Sequence, residues 1–291
     1  MRLAILGPSQ NKISYTTKRL IEEAGREFKS AEIVPVIKVE LKVNKGVGAF
    51  IGKKSLEDFD YILPRIDSKR AQTGYPVMRF LDDMGVKKPY VAETILIAHN
   101  KFITLEELAK NGIPVPETFM TGSRESAMAI LKKMKMPIML KLLSGFGGKG
   151  VIVMESKDAA MNTIDTMKTL EQDILLEEFV PNPGEDIRGI LAGDEVIAAF
   201  KRVAAPGEKR ANIASGGKAK AFRLDSEMQE VVFKCAEAIK SKICAVDMIE
   251  SKEGPKVIEV NINPGIKGAE AATNLNVARS IINFAKSEAR K

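Results

Sequence analysis

Near its C-terminus the chain reads Pro255-Lys-Val-Ile-Glu259-Val-Asn261-Ile-Asn263-Pro264-Gly265, an alternation of apolar and polar residues that ends in a Pro-Gly turn. Side chains alternate faces along a β-strand, so one face of this strand is expected to be apolar and the other polar. The apolar face comprises Ile258, Val260 and Ile262. The polar face comprises Val257, Glu259, Asn261 and Asn263. Because Mg²⁺ prefers oxygen ligands, often carboxylates completed by substrate phosphates, the stretch indicates a metal-binding strand, with a solvated strand face as the alternative.

The 291 residues are enough for one large domain or for two to three smaller ones. Hydrophobic residues make up 45% and charged residues 29%, a balance typical of soluble globular proteins. No apolar run approaches the ~18 residues of a membrane span, and the opening Arg2-Leu-Ala-Ile-Leu-Gly7 predicts a strand rather than a signal peptide. Cys235 and Cys244 are too few for a disulfide framework or a zinc site, so we expect buried thiols, a cytoplasmic location and no membrane partner.

The chain contains a single histidine, His99. A histidine-rich zinc or iron site is therefore impossible, and a Ser-His-Asp triad would need this one residue. His99 lies in the apolar stretch Thr94-Ile-Leu-Ile-Ala-His-Asn100, which favours a residue at a helix end over a catalytic base. Any catalysis must then depend on carboxylates, amides, lysines and arginines.

A net charge of +7 and a pI near 9.2 indicate an anionic partner, either nucleic acid or the phosphates of a nucleotide. Lysine and arginine are spread along the chain and interleaved with aspartate and glutamate. Four tyrosines and no tryptophan leave little surface for stacking bases. The composition thus favours a nucleotide over nucleic acid.

Strands and helices alternate over the first ninety residues, which predicts a parallel α/β sheet. Strands are expected at Leu3–Leu6, Ile33–Ile37, Asp60–Leu63 and Pro89–Val91, and helices at Tyr15–Ala24 and Val77–Met84. No Gly-x-Gly-x-x-Gly follows the first strand, which disfavours a dinucleotide-binding Rossmann unit. The link Ile113-Pro-Val-Pro-Glu117 marks a boundary, and the pattern beyond it predicts antiparallel α+β structure.

A glycine-rich segment, Ser144-Gly-Phe-Gly-Gly-Lys-Gly150, lies between two predicted strands, Ile138–Leu143 and Val151–Met154. A hairpin with a glycine tip lets backbone N–H groups approach phosphates closely, although a merely flexible hairpin fits the same residues. Lys141 lies on the strand that enters this loop. Its cation either reaches the phosphates or extends from a strand edge into solvent.

Asp247 lies in the middle of the predicted strand Ala245-Val-Asp-Met-Ile249, where aspartate is disfavoured. A turn at Glu250-Ser-Lys-Glu-Gly254 would pair this strand with Val257–Ile262 and bring Asp247 near Glu259 and Asn261. Two close carboxylates repel each other in the absence of a cation, so this convergence indicates a Mg²⁺ site.

These segments, in this order, resemble the ATP-grasp superfamily of carboxylate–amine ligases, and most closely its RimK-type α-L-glutamate ligase family. The resemblance spans nearly the whole chain. It is carried by Pro64-Arg-Ile-Asp67, Asn100-Lys101, Gly112–Pro116, Lys141 with its glycine loop, Glu178-Phe179, Asp186-Ile-Arg188, Arg210-Ala-Asn212, Gly216-Gly217, Asp247 and Glu259-Val-Asn261 with Pro264-Gly265. It implies a pre-ATP-grasp α/β domain over residues 1–98, and an ATP-grasp α+β domain over 99–291 with subdomains at about 99–180 and 181–291. The chain departs from the family pattern at Asn100, Ala214 and Asn263.

The resemblance also implies roles for single residues. Phosphate contacts are implied for Lys101, Lys141, Arg210 and Asn212. They are also implied for Gly145, Gly147, Gly148 and Gly150, because residues 145–150 would form a lid over the phosphates. Glu178 and Phe179 would bracket the adenosine, with Asp186 on the ribose side. Asp247, Glu259 and Asn261 would bind two Mg²⁺ or Mn²⁺ ions. Arg202 is the candidate catalytic residue, stabilising the negative charge of an acyl phosphate and of a tetrahedral oxyanion.

The reaction implied is phosphorylation of an acceptor carboxylate by ATP, followed by attack of the amino group of L-glutamate. Acceptors in the family include the C-terminus of a ribosomal protein and glutamylated coenzymes, and a homodimer or homotetramer is expected. Two other functions stay open from the residues. One is a phosphotransferase, although no His-Arg-Asp or Asp-Phe-Gly motif is present. The other is a non-catalytic nucleotide- or RNA-binding protein.

Overall fold

The structure is a computed structural model that describes residues 1–7, 13–44, 46–142, 150–182, 184–205 and 217–291. Its N-terminal unit contains a parallel sheet, as the sequence predicts. The sheet is formed by β1 (Arg2–Gly7), β2 (Ser30–Pro35) and a later strand, β6 (Tyr61–Pro64), in the order β2-β1-β6. Helix α1 (Tyr15–Glu27) connects β1 to β2, and its N-cap Ser14 accepts a hydrogen bond from the Thr17 backbone.

A small antiparallel sheet within this unit was not predicted. It consists of β3 (Glu40–Val43), β4 (Val47–Ile51) and β5 (Lys54–Ser55). Every residue of β3 is exposed, so the apolar periodicity that identifies a half-buried strand is weak here. Three helices complete the unit and lead out of it. They are α2 (Ala71–Asp83), α3 (Ala92–Ala98) and α4 (Lys101–Lys110).

The central part of the chain forms a four-stranded antiparallel sheet with two helices. Its elements are β7 (Thr118–Thr121), α5 (Arg124–Lys133), β8 (Ile138–Lys141), β9 (Val151–Met154), α6 (Lys157–Thr169) and β10 (Ile174–Glu178). The strand order is β7-β10-β8-β9. The predicted strands on both sides of the glycine-rich segment are therefore confirmed as one hairpin, with Lys141 paired to Val151.

The last part forms a five-stranded antiparallel sheet in the order β13-β12-β11-β14-β15. Its elements are β11 (Glu185–Ala192), β12 (Glu195–Val203), β13 (Lys218–Ala221), α7 (Ser226–Ala238), β14 (Ile243–Ser251), β15 (Gly254–Asn261), α8 (Lys267–Thr273) and α9 (Val277–Arg290). The architecture is thus an α/β unit followed by two α+β units, as expected. None of the helices in the described ranges has the length and apolar content needed to cross a membrane.

Four sequence predictions were wrong in detail. The helix predicted at Val77–Met84 begins at Ala71. Pro89–Val91 contributes only an isolated bridge between Tyr90 and Ser241. The second strand ends at Pro35 and continues as a short 3-10 turn, because the fixed φ of proline suits that turn. Val257 does not share a face with Glu259: it is buried with Val260 in the same apolar cluster.

A β-bulge explains the position of Val257. Asp247 pairs with Glu259, whereas the next residue, Met248, pairs with Val257, so Ile258 is an extra residue on β15. Such an insertion reverses the alternation of side chains on one side of the bulge. Val257 therefore packs into the core while Glu259 keeps its polar side.

The apolar cores divide the molecule unequally. Two clusters each combine side chains of the N-terminal unit with side chains of the five-stranded sheet. The third cluster contains only residues of the central part, among them Ala127, Leu140, Ile164 and Leu176. The central four-stranded sheet thus has a core of its own.

Candidate active site

The strand that the sequence predicts to bind metal is β15, called the metal strand below. It pairs with β14 as the sequence indicates. Asp247 on β14 lies directly opposite Glu259 on β15, and Ala245 lies opposite Asn261. Residues opposite each other on antiparallel strands have Cβ atoms about 4.5–5.5 Å apart, so the two carboxylates share one small region. Asp247 is 1% exposed, which makes it the most deeply buried carboxylate of this sheet.

Charged side chains continue across the same face of the sheet. Arg188 on β11 pairs with Asp247, and Asp186, two residues earlier, pairs with Arg202 on β12. One row further along the strands the residues are apolar: Ile190 lies opposite Ala198 and Ala245. The face therefore changes along the strands from an apolar region to a charged one.

Two arginines hold the carboxylate of Asp247. Arg188 donates from Nε and Nη2 at 2.5 and 2.6 Å, and Arg202 donates from Nη2 at 2.8 Å. Arg202 also forms a bidentate pair with Asp186, at 2.5 and 2.8 Å. Bidentate Arg–carboxylate pairs fix geometry as well as charge. The two buried aspartates and the two half-buried arginines thus form a chain of alternating charge with no net charge.

The two aspartates of this chain differ in acidity. Burial raises the pKa of Asp186 to about 6, although Arg202 acts in the opposite direction. Burial would raise the pKa of Asp247 too, but Arg188 and Arg202 together outweigh it and hold that pKa at about 2. Asp247 is therefore ionised at neutral pH, the state that a metal ligand requires.

Lys101 and Lys141, the lysines predicted to bind phosphate, also lie near this charged part of the sheet. Lys101 is the first residue of α4, whose N-cap Asn100 accepts hydrogen bonds from the Phe102 and Ile103 backbones. Burial lowers the pKa of Lys101, and the nearby Glu259 carboxylate counteracts it. The helix N-terminus adds positive potential beside this ammonium group. The Lys101 ammonium group thus lies within electrostatic range of Glu259 on the predicted metal strand.

Lys141 is paired with a residue that had no predicted role. Its Nζ lies 2.5 Å from Oε1 of Glu177 on β10, and both side chains are buried. Burial raises the pKa of Glu177, whereas Lys141 lowers it and Glu259 raises it further. Oε2 of Glu177 is buried without a hydrogen-bond partner in the described part of the chain. The central sheet and the five-stranded sheet thus present their charged groups to each other.

The glycine-rich hairpin is described only at its base. Gly150 has a φ of +80° and its carbonyl accepts a hydrogen bond from the Leu142 amide at 2.7 Å. A Cβ at this position would lie 2.8 Å from the Leu142 side chain. Glycine is therefore required here for both conformation and space. Gly145, Gly147 and Gly148 lie outside the described residues, as do Arg210 and Asn212.

The residues predicted to contact adenosine lie where the two sheets meet. Glu178 ends β10, and its carboxylate accepts hydrogen bonds from the Glu117 amide and from Lys256 on β15, at 3.2 and 3.3 Å. Phe179 follows it directly and is partly exposed. Asp186, predicted for the ribose, is engaged instead by Arg202 through both carboxylate oxygens. Its role with the ribose stays a prediction.

The structure thus brings Lys101, Lys141, Arg202, Asp247, Glu259 and Asn261 to one region, and it adds Glu177 and Arg188. Arg188 had a signal in the sequence, because it alternates with Asp186 on a strand. Glu177 had almost none, since the run Leu-Leu-Glu-Glu does not show which of its two acids faces inward.

The donor set fits a hard divalent cation. Asp247, Glu259 and Asn261 contribute two carboxylates and one amide oxygen on neighbouring strands, and phosphate oxygens complete such sites. Both oxygens of Asp247 accept hydrogen bonds from arginines, so a cation would bind there in competition with Arg188 and Arg202. No three His, Cys, Asp or Glu side chains within the described ranges cluster closely enough to hold a metal ion by themselves. The fit therefore depends on oxygens from a bound nucleotide as well as from the protein.

Two family models together match almost the whole chain. The RimK PreATP-grasp domain matches residues 1–95, and the RimK-like ATP-grasp domain matches residues 98–285. A probable alpha-L-glutamate ligase of Marinobacter nauticus is 34% identical over 287 residues, which cover 98% of this chain and 95% of the relative.

Solved structures share the fold. A RimK domain protein ATP-grasp from Sphaerobacter thermophilus superposes with a TM-score of 0.75 at 23% identity, covering 98% of this chain and 99% of that one. The ATP-grasp ligase PsnB, in complex with a minimal precursor, Mg and ADP, superposes with a TM-score of 0.76 at 14% identity, covering 99% and 98%. At these identities the likeness concerns architecture.

Proposed function

The chain belongs to the RimK-like ATP-grasp family, and from this premise we propose that it is an ATP- and Mg²⁺-dependent carboxylate–amine ligase that adds L-glutamate to an acceptor carboxylate. The product is an amide, with ADP and phosphate released. The acceptor class we propose is the C-terminus of a protein or a glutamylated coenzyme. Residues 1–98 would form the pre-ATP-grasp domain and residues 99–291 the ATP-grasp domain.

One observation supports this proposal more than any other. Asp247 and Glu259 are neighbours across two strands, and Lys101 lies close enough to Glu259 for the carboxylate to affect its pKa. A site that binds a nucleotide phosphate needs cations for the phosphate and anions for the metal that accompanies it. Both are present here without any histidine.

Asp247, Glu259 and Asn261 would hold the divalent cation, Mg²⁺ or Mn²⁺, and the family pattern suggests two ions. PsnB, which shares the fold, is complexed with Mg and ADP, in agreement with this choice. When bound, the cation neutralises charge on the transferring phosphoryl group. Asp247 is already ionised in the absence of metal, because two arginines stabilise its charge.

The lysines and arginines of the chain would supply the remaining charge stabilisation. Lys101 and Lys141 would contact the phosphates, with Gly150 at the base of the lid. The acceptor carboxylate would attack the γ-phosphorus to give an acyl phosphate and ADP. The amino group would then attack the acyl carbon and phosphate would leave. Arg202 would stabilise the oxyanion of that second step as a fixed cation.

The direct test is incubation with ATP, Mg²⁺, L-glutamate and candidate acceptors, with measurement of phosphate release and product mass. We expect ADP, phosphate and an acceptor heavier by one or more glutamyl residues. Transfer of the γ-phosphoryl group to the acceptor would instead identify a phosphotransferase. Nucleotide binding without turnover of any acceptor would favour a binding protein.

Glu259→Gln is the variant that tests the metal site. It removes one carboxylate and should largely abolish turnover while the unfolding temperature changes little. Glu253→Gln, at the exposed turn of the same hairpin, is the matched control and should keep full activity. Near-normal turnover by Glu259→Gln would refute the assignment of this strand.

A further inference from the structure

Arg65 lies where the N-terminal sheet meets the end of the metal strand. It follows β6 directly, at the carboxyl end of the parallel sheet, and its Nη1 donates to the Pro264 carbonyl at 3.1 Å. Ligands of open α/β sheets bind outside the carboxyl ends of the strands. Pro264 follows Asn261 by three residues, a span of at most about 11 Å. The guanidinium is therefore bonded to the chain just beyond the strand that carries the proposed metal ligands.

Asn263 crosses the same junction in the opposite direction. Its Nδ2 donates to the Ile66 carbonyl, and Nε2 of His99 lies 2.9 Å from that carbonyl. Arg65 thus contacts the residue after Asn263, and Asn263 contacts the residue after Arg65. The two side chains thus make reciprocal contacts across the junction, each donating one hydrogen bond to a backbone carbonyl.

Each of these side chains has a polar atom left over. Nε of Arg65 and Oδ1 of Asn263 are both buried and have no hydrogen-bond partner within the described ranges. A buried donor or acceptor without a partner costs free energy, and buried polar groups in native proteins are rarely left so. The junction therefore combines one unused donor with one unused acceptor.

The charge of Arg65 is also unusual for this site. Arg188 and Arg202 both pair with carboxylates, whereas no carboxylate oxygen of the described residues lies within 4.0 Å of Arg65. Burial lowers the pKa of Arg65 to about 10, so the guanidinium is still charged at neutral pH. Arg65 is half-buried, and a partly dehydrated charge without a counter-ion carries a free-energy cost. An anionic group from a ligand would relieve this cost.

We propose that Arg65 and Asn263 bind the two polar groups of the amino-acid substrate, the guanidinium taking the α-carboxylate and the amide oxygen taking the α-ammonium. A cationic donor beside a neutral acceptor complements a zwitterion. The C-terminus of an acceptor peptide has a carboxylate but no ammonium group, so it would leave Oδ1 of Asn263 unused. This inference rests on the proposed function, because it concerns the substrate that supplies the amine.

The arrangement would also orient the nucleophile. Asn263 is two residues beyond the proposed metal ligand Asn261, and their Cα atoms are at most about 7.6 Å apart. An ammonium group at Asn263 lies close to the metal strand, while the carboxylate at Arg65 points towards the N-terminal sheet. After the ammonium group gives a proton to solvent water, the neutral amine would face the acyl carbon of the activated acceptor.

Calorimetric binding in the presence of Mg²⁺ and a non-hydrolysable ATP analogue tests the proposal without turnover. The probes are L-glutamate, L-isoglutamine, which replaces the α-carboxylate by an amide, and L-2-hydroxyglutarate, which replaces the ammonium by a hydroxyl. Wild type should bind L-glutamate at least roughly tenfold more tightly than either analogue, because hydrogen bonds to charged groups are strong.

The variants should lose one preference each. Arg65→Gln should lose the preference for L-glutamate over isoglutamine and keep the preference for L-glutamate over 2-hydroxyglutarate. Asn263→Leu should keep the first preference and lose the second. Arg65→Lys keeps the charge and should retain part of the first preference, which guards against a folding defect in Arg65→Gln. Arg70→Gln, an exposed neighbour, should change neither ratio.

A purely structural role for Arg65 would weaken all three probes equally and leave the ratios unchanged, and this result would overturn the proposal. Equal binding of L-glutamate and isoglutamine to wild type would overturn it as well. If the ratios behave as expected but no acceptor is ever extended, the subsite stands and the proposed ligase function fails.

Discussion

Glu177 lies 2.5 Å from Nζ of Lys141, and the two side chains are buried together inside the central sheet. The lysine that the sequence predicts for phosphate binding is thus held in place by an acid on the neighbouring strand. A buried ion pair adds little net stability, but removal of one partner leaves an uncompensated charge. Glu177 is therefore best understood as a residue that positions Lys141.

Substitution of this pair should separate stability from nucleotide binding. Lys141→Met and Glu177→Met should each lower the unfolding free energy by about 3 kcal/mol, and the double variant should regain most of the loss. All three variants should bind an ATP analogue more weakly, because two of them lack the lysine and Glu177→Met lacks the carboxylate that holds it. Urea denaturation and calorimetry measure the two effects. Normal nucleotide affinity in Glu177→Met would contradict the positioning role.

Arg188 is expected to compete with the metal for Asp247. Arg188→Met removes two of the three hydrogen bonds to that carboxylate, which should destabilise the metal-free protein. The less neutralised carboxylate should then bind a cation more tightly. We expect Mn²⁺ together with a non-hydrolysable ATP analogue to raise the unfolding temperature of Arg188→Met more than that of wild type. An equal or smaller increase would show that Arg188 does not oppose the metal.

His99 should make stability depend on pH in one direction. Burial lowers its pKa below the ordinary 6.5, so the unfolded chain binds the proton more readily than the folded protein. The stabilisation is present above pH 6.5 and is lost as the pH falls below 6.5 and through the lower pKa of the folded protein. His99→Gln should lack this contribution, so the stability difference between wild type and variant should shrink towards acid pH. Denaturation curves at several pH values, with an unchanged difference as the contrary outcome, provide the test.

Gly150→Ala should weaken both the hairpin and nucleotide binding. The positive φ is unfavourable for alanine, and the new methyl group would contact the Leu142 side chain too closely. The expected loss is about 1–2 kcal/mol of unfolding free energy, together with weaker binding of an ATP analogue. Gly25→Ala is the matched control, because this glycine lies in helix α1 with open space around it. Alanine there should raise the free energy of unfolding by about 0.5–1 kcal/mol. Unchanged analogue affinity in Gly150→Ala would remove this residue from the lid.

The sequence was sufficient for contacts that are local in the chain. The turn at 250–254 fixed the pairing of Asp247 with Glu259, and the glycine-rich segment fixed the hairpin of β8 and β9. The bulge at Ile258 could not be predicted from the sequence. The residues before and after it each fit an alternating strand, so the pattern does not show that one residue is extra.

Contacts between distant segments were out of reach. Arg65 and Pro264 are separated by 199 positions, and nothing near either residue indicates the other. Glu177 and Glu178 differ only in the face they occupy, which depends on the strand register of the central sheet. The sequence therefore predicts the pairing of the strand proposed to bind metal, whereas the residues that position its neighbours follow from tertiary packing.

The separate core of the central sheet has a consequence for the order of events. Residues 118–178 carry Lys141 and Glu177, whereas Asp247, Glu259, Arg65 and Asn263 belong to the body formed by the other two cores. The proposed amino-acid subsite and the predicted metal ligands thus belong to one block, and if both assignments hold, their spacing is set before any nucleotide binds. Movement of the central sheet would change only the position of the bound phosphates. Nucleotide binding could therefore be controlled without moving the bound amino acid relative to the metal ligands.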